Sequence, residues 1–370
     1  MTDREYMSRA IELAKKGLGW TNPNPMVGAV IVKDGRIIGE GFHESYGQQH
    51  AERNAIASLK EAAAGATIYV TLEPCCHYGK TPPCTEAILE QGIRRVVIGS
   101  RDPNPKVAGK GVAILRQAGI QVEEDFMREE CDSLNPVFFH YITKKTPYVV
   151  MKYAMTADGK IATRTGASKW ITGSSAREEV QRLRHQYMGI MVGIGTVLED
   201  DPMLNVRLEG KRSPVRIICD SHMRIPMESR ICKTAEEYRT ILACGEEKPE
   251  NSEKKQRLIE LGIEVVCCPD TQGRVDLKQL MKYLGERGID SILLEGGGTL
   301  NEGALGQGIV QRVMVFVAPK LFGGEAARTP VAGMGVSLPS EAVPLKLSGI
   351  RQISGDLLLE YEVAEGKEAN

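Results

Sequence analysis

The sequence predicts a two-domain α/β protein with helices on both faces of a mixed sheet, and three observations carry that expectation. Apolar patches of strand length alternate with helix-like stretches almost throughout. At 370 residues, the chain exceeds the size at which one core usually stops growing. The alternation breaks once, at Lys144, Lys145, Thr146 and Pro147, and a new strand follows at once. The boundary falls within about five residues of this break, giving domains over 1–145 and 146–370.

In the first domain, residues 25–32 read as a strand, Asp34-Gly35 as a tight turn and 36–40 as the returning strand. Residues 50–64, rich in Ala, Glu and Lys, read as a helix. A strand over 67–72, a helix over 85–91 stopped by Gly92, and a strand over 95–99 come next. A helix over 111–118 ends at Gly119, a short strand covers 121–123, and 129–141 reads as one more helix. In the second domain, strands are expected at 148–154, 190–193, 215–219, 240–243, 264–267, 291–294 and 312–317. Ser175-Ala176-Arg177-Glu178 fits a capping box ahead of a helix over 180–185. No repeat or low-complexity segment interrupts the pattern, and the polar tail 365–370 is expected to fray.

Composition narrows the functional classes. Lysine and arginine number 47 against 48 acidic residues, so net charge gives no general reason to bind nucleic acid or a membrane surface. No apolar run approaches the ~18 residues that span a bilayer. The N-terminus, with Asp3 and Glu5, lacks the pattern of a signal peptide. Nine cysteines, an odd number in a long chain, argue against a disulfide framework and for a reducing cytoplasm. Their chemistry is then better sought in metal or thiol roles.

His50-Ala51-Glu52 opens a helix, Glu73-Pro74-Cys75 ends a strand, and Cys84 starts another helix. One imidazole and two thiolates leave the fourth tetrahedral position of a zinc ion to water, as a catalytic site requires. Zinc lowers the pKa of that water toward ~7. Glu52, two residues from the histidine, is placed to move protons without ligating. H-x-E followed by P-C is half of the nucleobase-deaminase signature. Eight residues, Cys76 to Pro83, separate the two cysteines where the signature has two. Cys76 and His77 compete as ligands, but adjacent residues seldom both ligate one tetrahedral ion, so Cys76 is left out. The bland alternative makes the cysteines buried thiols and His50 a surface residue.

The second domain lacks a dinucleotide fingerprint, since Leu198 stands where the third glycine after Gly193 and Gly195 belongs. Glu295-Gly296-Gly297-Gly298-Thr299-Leu300-Asn301 is a better anion cradle: a strand, three glycines and a helix start. A plain glycine-rich turn is the alternative.

Three segments carry a resemblance. Thr21-Asn22-Pro23-Asn24-Pro25-Met26-Val27-Gly28-Ala29, His50-Ala51-Glu52 and the run from Thr71 through Cys75, Cys76 and His77 to Cys84 resemble the bacterial bifunctional riboflavin-biosynthesis deaminase/reductase family. There the long loop between cysteines is usual, with serine common where Cys76 stands. The second domain supports it with Tyr153-Ala154-Met155-Thr156-Ala157-Asp158-Gly159, Ser168-Lys169-Trp170 and Asp200-Asp201-Pro202. The resemblance implies a three-layer α/β/α cytidine-deaminase-like domain followed by a dihydrofolate-reductase-like domain. It also implies Zn2+ and NADPH as cofactors and a homo-oligomer.

The reaction so implied is deamination of a diaminopyrimidinone bearing a ribosylamino 5′-phosphate by zinc-activated water, then reduction of its ribosyl group to ribityl. His50, Cys75 and Cys84 would hold the metal, with Glu52 catalytic. Asn24, His43, His77 and Lys80 would line the substrate pocket, although a loop lysine can simply be solvated. Ala154, Trp170, Thr196, Asp200 and the 297–303 turn (Gly297, Gly298, Thr299, Leu300 and Asn301 among them) would line the cofactor site. Ser168, Arg184, Leu204, Arg207 and Glu295 would meet substrate. Arginines suit a sugar phosphate, but Arg184 also fits a solvated helix face. Lys152 sits in an apolar strand, where an unpaired charge is costly, and is expected to pair with Glu295 beside the reacting carbon. Asp158-Gly159 reads as a turn. A tRNA or nucleoside deaminase joined to a non-catalytic nucleotide-sensing domain is the rival reading. It predicts a basic surface and short cysteine spacing, and neither is present.

Overall fold

The chain divides into two units, Met1–Lys145 and Thr146–Asn370. The computed structural model describes residues 1–79, 81–104, 107–246 and 249–364. The tail 365–370 lies outside them, as does Lys80.

The first unit runs α1 (Asp3–Lys15), β1 (Gly28–Lys33), β2 (Arg36–Phe42), α2 (Ala51–Ala57), β3 (Thr67–Leu72) and α3 (Cys84–Glu90). It continues with β4 (Arg95–Ser100), α4 (Lys110–Gln117), β5 (Gln121–Glu123), α5 (Arg128–Asp132) and α6 (Pro136–Lys144). The sheet order is β2-β1-β3-β4-β5. β1 is antiparallel to both its neighbours, and β3, β4 and β5 are parallel. Alternation along the strands decides the layering. Ala29, Ile31, Ile68, Val70, Val96 and Ile98 bury against residues of α2, α3, α4 and α6. Val30, Val32, Tyr69 and Val97 turn the other way, onto α1 and Cys131 of α5. The result is three layers.

Three local expectations are corrected. The helix expected over 50–64 stops at Ala57. The Ser58 hydroxyl exchanges hydrogen bonds with Glu40 N and O at 2.8 Å, and Lys60 N–H donates to Ile38 O, so the chain docks on β2. The helix expected over 129–141 is two, α5 and α6, broken at Asn135-Pro136. Proline lacks the N–H and disfavours helical geometry before it. Asn135 instead uses its amide on Met26, accepting from N–H at 2.7 Å and donating to O at 2.9 Å.

The second unit has β6 (Tyr148–Thr156), α7 (Ser174–Gln186), β7 (Gly189–Gly193), α8 (Ile194–Asp200), β8 (Val215–Cys219), α9 (Arg230–Lys233) and β9 (Thr240–Cys244). After these come α10 (Ser252–Glu260), β10 (Ile263–Cys267), α11 (Leu277–Glu286), β11 (Ser291–Leu294), α12 (Gly298–Gly306), β12 (Val310–Ala318), β13 (Leu345–Ile353) and β14 (Asp356–Val363). The sheet order is β10-β9-β8-β7-β11-β6-β12-β14-β13, parallel as far as β12 and antiparallel beyond it. Cores again form on both faces, one against α11 and α12, the other against α8, α9 and α10. The capping box expected at Ser175 is absent. α7 starts at Ser174, and its N-cap Gly173 donates N–H to Asp356 at 2.7 Å. Ser175 lies inside the helix with its hydroxyl bonded to Ser354. A capping box does occur on α1, where Thr2 and Glu5 satisfy one another.

Candidate metal centre and strand-end cluster

The first unit's site forms where parallel strands end and helices begin. β3 runs out into Glu73-Pro74-Cys75, His50 is the N-cap of α2, and Cys84 is the first residue of α3. Loop and helix starts thereby aim three soft or borderline donors at one point. His50 Nδ1 stands 3.4 Å from each sulfur, and the three ligand atoms lie within 4.8 Å of one another. Such a set suits a tetrahedral zinc ion with one position left open. Hydrogen bonding from Cys84, with His50 adding to it against burial, holds the Cys75 thiol down at about 4. The direction is the one a metal ligand needs, while the same bond and burial push the Cys84 thiol up. Cys76 is not in the cluster.

Glu52 is 4% exposed, in the first turn of α2. Burial, then the nearby Cys75 charge, pushes its carboxyl up to about 6. A carboxyl raised in this way beside Cys75 and Cys84 is suited to exchanging protons. His43 packs edge-on against His50, with ring centroids 5.5 Å apart. Its Nδ1–H donates to Gln49 O at 2.9 Å, and its Nε2 accepts from the Asn24 amide at 3.2 Å. Burial lowers its pKa, which keeps the ring neutral. His77 Nδ1 is buried without a hydrogen-bond partner.

In the second unit, strand register makes the cluster. β11 lies between β7 and β6, and Leu294 pairs with both Met151 and Met191. Glu295 and Lys152, one residue beyond those partners, thus fall side by side, with Lys152 Nζ 3.4 Å from Glu295 Oε2. Their side chains are only 11% and 12% exposed. Arg184 of α7 closes on the same carboxylate at 2.7 and 3.1 Å and donates to Asn205 O at 3.2 Å. Burial opposes the Glu295 charge, yet Arg184 and then Lys152 hold its pKa down at about 2.

Beyond Glu295 the chain enters α12 through Gly297, an N-cap with no side-chain hydrogen bond to the helix. A Cβ built on Gly297 would find no atom within 4 Å, so the turn is open at that residue, whereas one on Gly298 would stand 2.8 Å from Ala332 Cβ. The Asn301 amide donates to Pro330 O at 2.8 Å, while its Oδ1 is buried without a partner. An open glycine turn and free helix N–H groups fit an anionic ligand.

Residues 147–359 match the family model of the RibD C-terminal domain, and residues 1–100 that of the cytidine and deoxycytidylate deaminase zinc-binding region. The riboflavin biosynthesis protein RibD of Actinobacillus pleuropneumoniae is 57% identical over 363 residues, 98% of this chain and 96% of that one. The chain belongs to the RibD family. Acinetobacter baumannii RibD superposes with a TM-score of 0.87 at 39% identity, covering 98% of this chain and 99% of that one. The diaminohydroxyphosphoribosylaminopyrimidine deaminase/5-amino-6-(5-phosphoribosylamino)uracil reductase of Thermotoga maritima gives 0.84 at 42% identity, over 97% of this chain and 98% of that one. The chain is accordingly a bifunctional deaminase/reductase of riboflavin biosynthesis, and its fold class is the one expected.

The residues expected from the sequence fall into three sets. His50, Cys75 and Cys84 converge, Glu52 interacts with Cys75 and Cys84 next to them, and His43 and Asn24 are hydrogen-bonded to one another beside His50. Lys152, Arg184 and Glu295 are bonded together, and Arg184 reaches Asn205 between Leu204 and Arg207. The solvated-face reading of Arg184 therefore fails. Ala154 lies near the end of β6, and Thr196 and Asp200 on α8, which starts at the adjacent end of β7. Leu204 is buried in the core, and Arg207 is exposed with its N–H on Gln181. Trp170, 65% exposed with φ +64°, lies under the Arg177 guanidinium at 4.3 Å. Ser168 is half-buried two residues before it. Asp158 is a loop anchor, accepting from Phe322 and Gly323 N–H at 3.1 and 2.7 Å.

Two residues escaped the sequence reading. Asp102 is buried just past β4, and burial, then the charges of Glu73 and Cys75, raises its pKa to about 6. The rule that sites gather at parallel strand ends was the available signal. Arg177 had none, because its partner Trp170 sits in a loop.

Proposed function

We propose that residues 1–145 deaminate the diaminohydroxyphosphoribosylaminopyrimidine for which the Thermotoga maritima relative is named, and that residues 146–370 then reduce the deaminated uracil to its ribityl form. The convergence of His50, Cys75 and Cys84 beside the buried Glu52 carries the first half of this reading. Zinc, when bound, supplies a water acidic enough to act as nucleophile near neutral pH. Glu52 takes a proton from the attacking water and gives it to the ring nitrogen, then takes the remaining proton of that oxygen and passes it to the amino group, which leaves as ammonia. Neutral His43 and Asn24 orient the pyrimidine, and the unpartnered His77 Nδ1 is available to it.

The Lys152–Glu295–Arg184 cluster carries the second half. NADPH, when bound, supplies hydride to C1′. The open turn from Gly297 to Asn301 would hold its phosphates, with Ala154, Thr196, Asp200 and Trp170 around the remainder. Lys152, held by Glu295, donates the proton that the ribosyl ring oxygen requires as the ring opens. Arg184 spends its guanidinium on Glu295, which leaves Arg207, with Ser168 and Leu204 nearby in the chain, as the freer group for the sugar phosphate.

The balanced charge and the chemistry assigned to the site support a small phosphorylated pyrimidine as the partner, with neither nucleic acid nor membrane, in the cytoplasm. Among the described residues no helix is long and apolar enough to cross a membrane. Exposed Leu345, Leu347 and Ile350 on the edge strand β13 support a homo-oligomer. The test supplies purified protein with the diaminopyrimidine phosphate and follows ammonia release and NADPH oxidation separately. Both should occur, with oxidation lagging behind ammonia. NADPH binding without oxidation, in the presence of deaminated substrate, would instead make the second unit a sensor.

A further inference from the structure

Glu73 is an acid that the proposed deamination does not use, though it stands two residues from Cys75. It is 4% exposed, and its own N–H donates to Ser100 O at 3.0 Å, tying the ends of β3 and β4. Its carboxylate accepts from Gly109 N–H at 3.1 Å and from Val112 N–H at 3.4 Å. These are donors of the first turn of α4, whose N-cap Gly109 has φ +74° and no side chain to offer. A Cβ on Gly111 would stand 2.3 Å from Pro74 O, so this turn rests directly on the backbone preceding Cys75.

Resting on the reading of His50, Cys75 and Cys84 as the zinc site, we infer that Glu73 is a positioning residue for the Cys75 ligand. Its carboxylate caps α4 from a distant part of the chain, and the capped turn fixes Pro74 and hence Cys75. Negative charge is favoured at this end of a helix, and two backbone donors need an acceptor. A glutamine amide in the same place can satisfy one donor but has no charge to set against the turn.

The experiment compares wild type with Glu73→Gln, Glu73→Asp and Gly111→Ala. It reads the rate of zinc transfer to a chromogenic chelator and the thiolate charge-transfer bands of the cobalt-substituted protein. Reduction of deaminated substrate monitors the second unit. Partners that orient metal ligands are typically worth about 10–100-fold in metal affinity or activity. Glu73→Gln should therefore release zinc at least about tenfold faster, with altered charge-transfer bands and reduction intact. Gly111→Ala should do the same through the backbone, and Glu73→Asp should recover part of the loss. If Glu73→Gln does not accumulate, the Asp and Ala variants decide. Wild-type zinc release and spectra in a folded Glu73→Gln, or in the deciding pair, would overturn the inference. Wild-type protein that binds no zinc would overturn the site reading itself.

Discussion

Arg184 grips the Glu295 carboxylate with two hydrogen bonds, 2.7 and 3.1 Å long, across 111 residues of sequence. Lys152 approaches the same carboxylate, so one buried acid balances two buried bases. Breaking such an arrangement from one side leaves uncompensated charge, which commonly costs about 3–5 kcal/mol. Glu295→Gln should destabilise the second unit by that order.

The same relationship sets a pH dependence. Glu295 has a folded-state pKa of about 2, below the 4.5 of a free glutamate. Its stabilising contribution is fully present above 4.5 and is lost as pH falls toward 2. Urea unfolding of wild type and Glu295→Gln should show a stability gap that is constant from neutrality to about pH 5 and narrows below pH 4.5. A gap that widens on acidification would contradict the ionised state of this group.

Lys152→Met keeps the length of the side chain and removes its charge. NADPH oxidation should fall by about 10²-fold or more, the usual contribution of a positioned proton donor, while ammonia release continues. Unchanged oxidation would remove Lys152 from the mechanism.

Gly41 lets β2 touch α2, the helix that carries Glu52. A Cβ there would stand 2.2 Å from Ala55 N and 2.6 Å from Ala51 O, both backbone atoms that cannot swing aside. Gly41→Ala should cost more than the ~1–3 kcal/mol of ordinary overpacking. Zinc content and ammonia release should fall with it, and reduction should persist. Full zinc content would show that α2 can move away without opening the site.

Neighbouring cysteines should separate cleanly in metal analysis. Cys84→Ser should lose zinc and ammonia release, whereas Cys76→Ser should keep both. Zinc loss in Cys76→Ser would move the ligand set by one residue.

The zinc-site residues were legible because each sits in a short local pattern whose chemistry is nearly independent of the rest of the chain. The lengths of two helices were not, although α3 and α4 came out within one residue of expectation. α2 ends where Ser58 meets Glu40, and α6 begins where Asn135 meets Met26, 109 residues away. The pairing of Lys152 with Glu295 could be anticipated from the cost of a lone charge in a strand. Arg184 could not be added, because a charged helix face looks alike in sequence whether it meets water or a carboxylate. The β13–β14 hairpin went unread for another reason. In β13 an irregularity between Leu347 and Gly349 breaks the alternation that marks a strand, but β14 keeps it at Leu359, Tyr361 and Val363 and was missed all the same.

The central claim is that one chain holds two separable reactions, the first depending on Glu52. Glu52→Gln tests it most directly, with ammonia release measured on the diaminopyrimidine phosphate and NADPH oxidation measured on deaminated substrate supplied separately. Ammonia release should vanish while oxidation proceeds at the wild-type rate. Near-full ammonia release, or loss of both activities in a folded protein, would contradict the account.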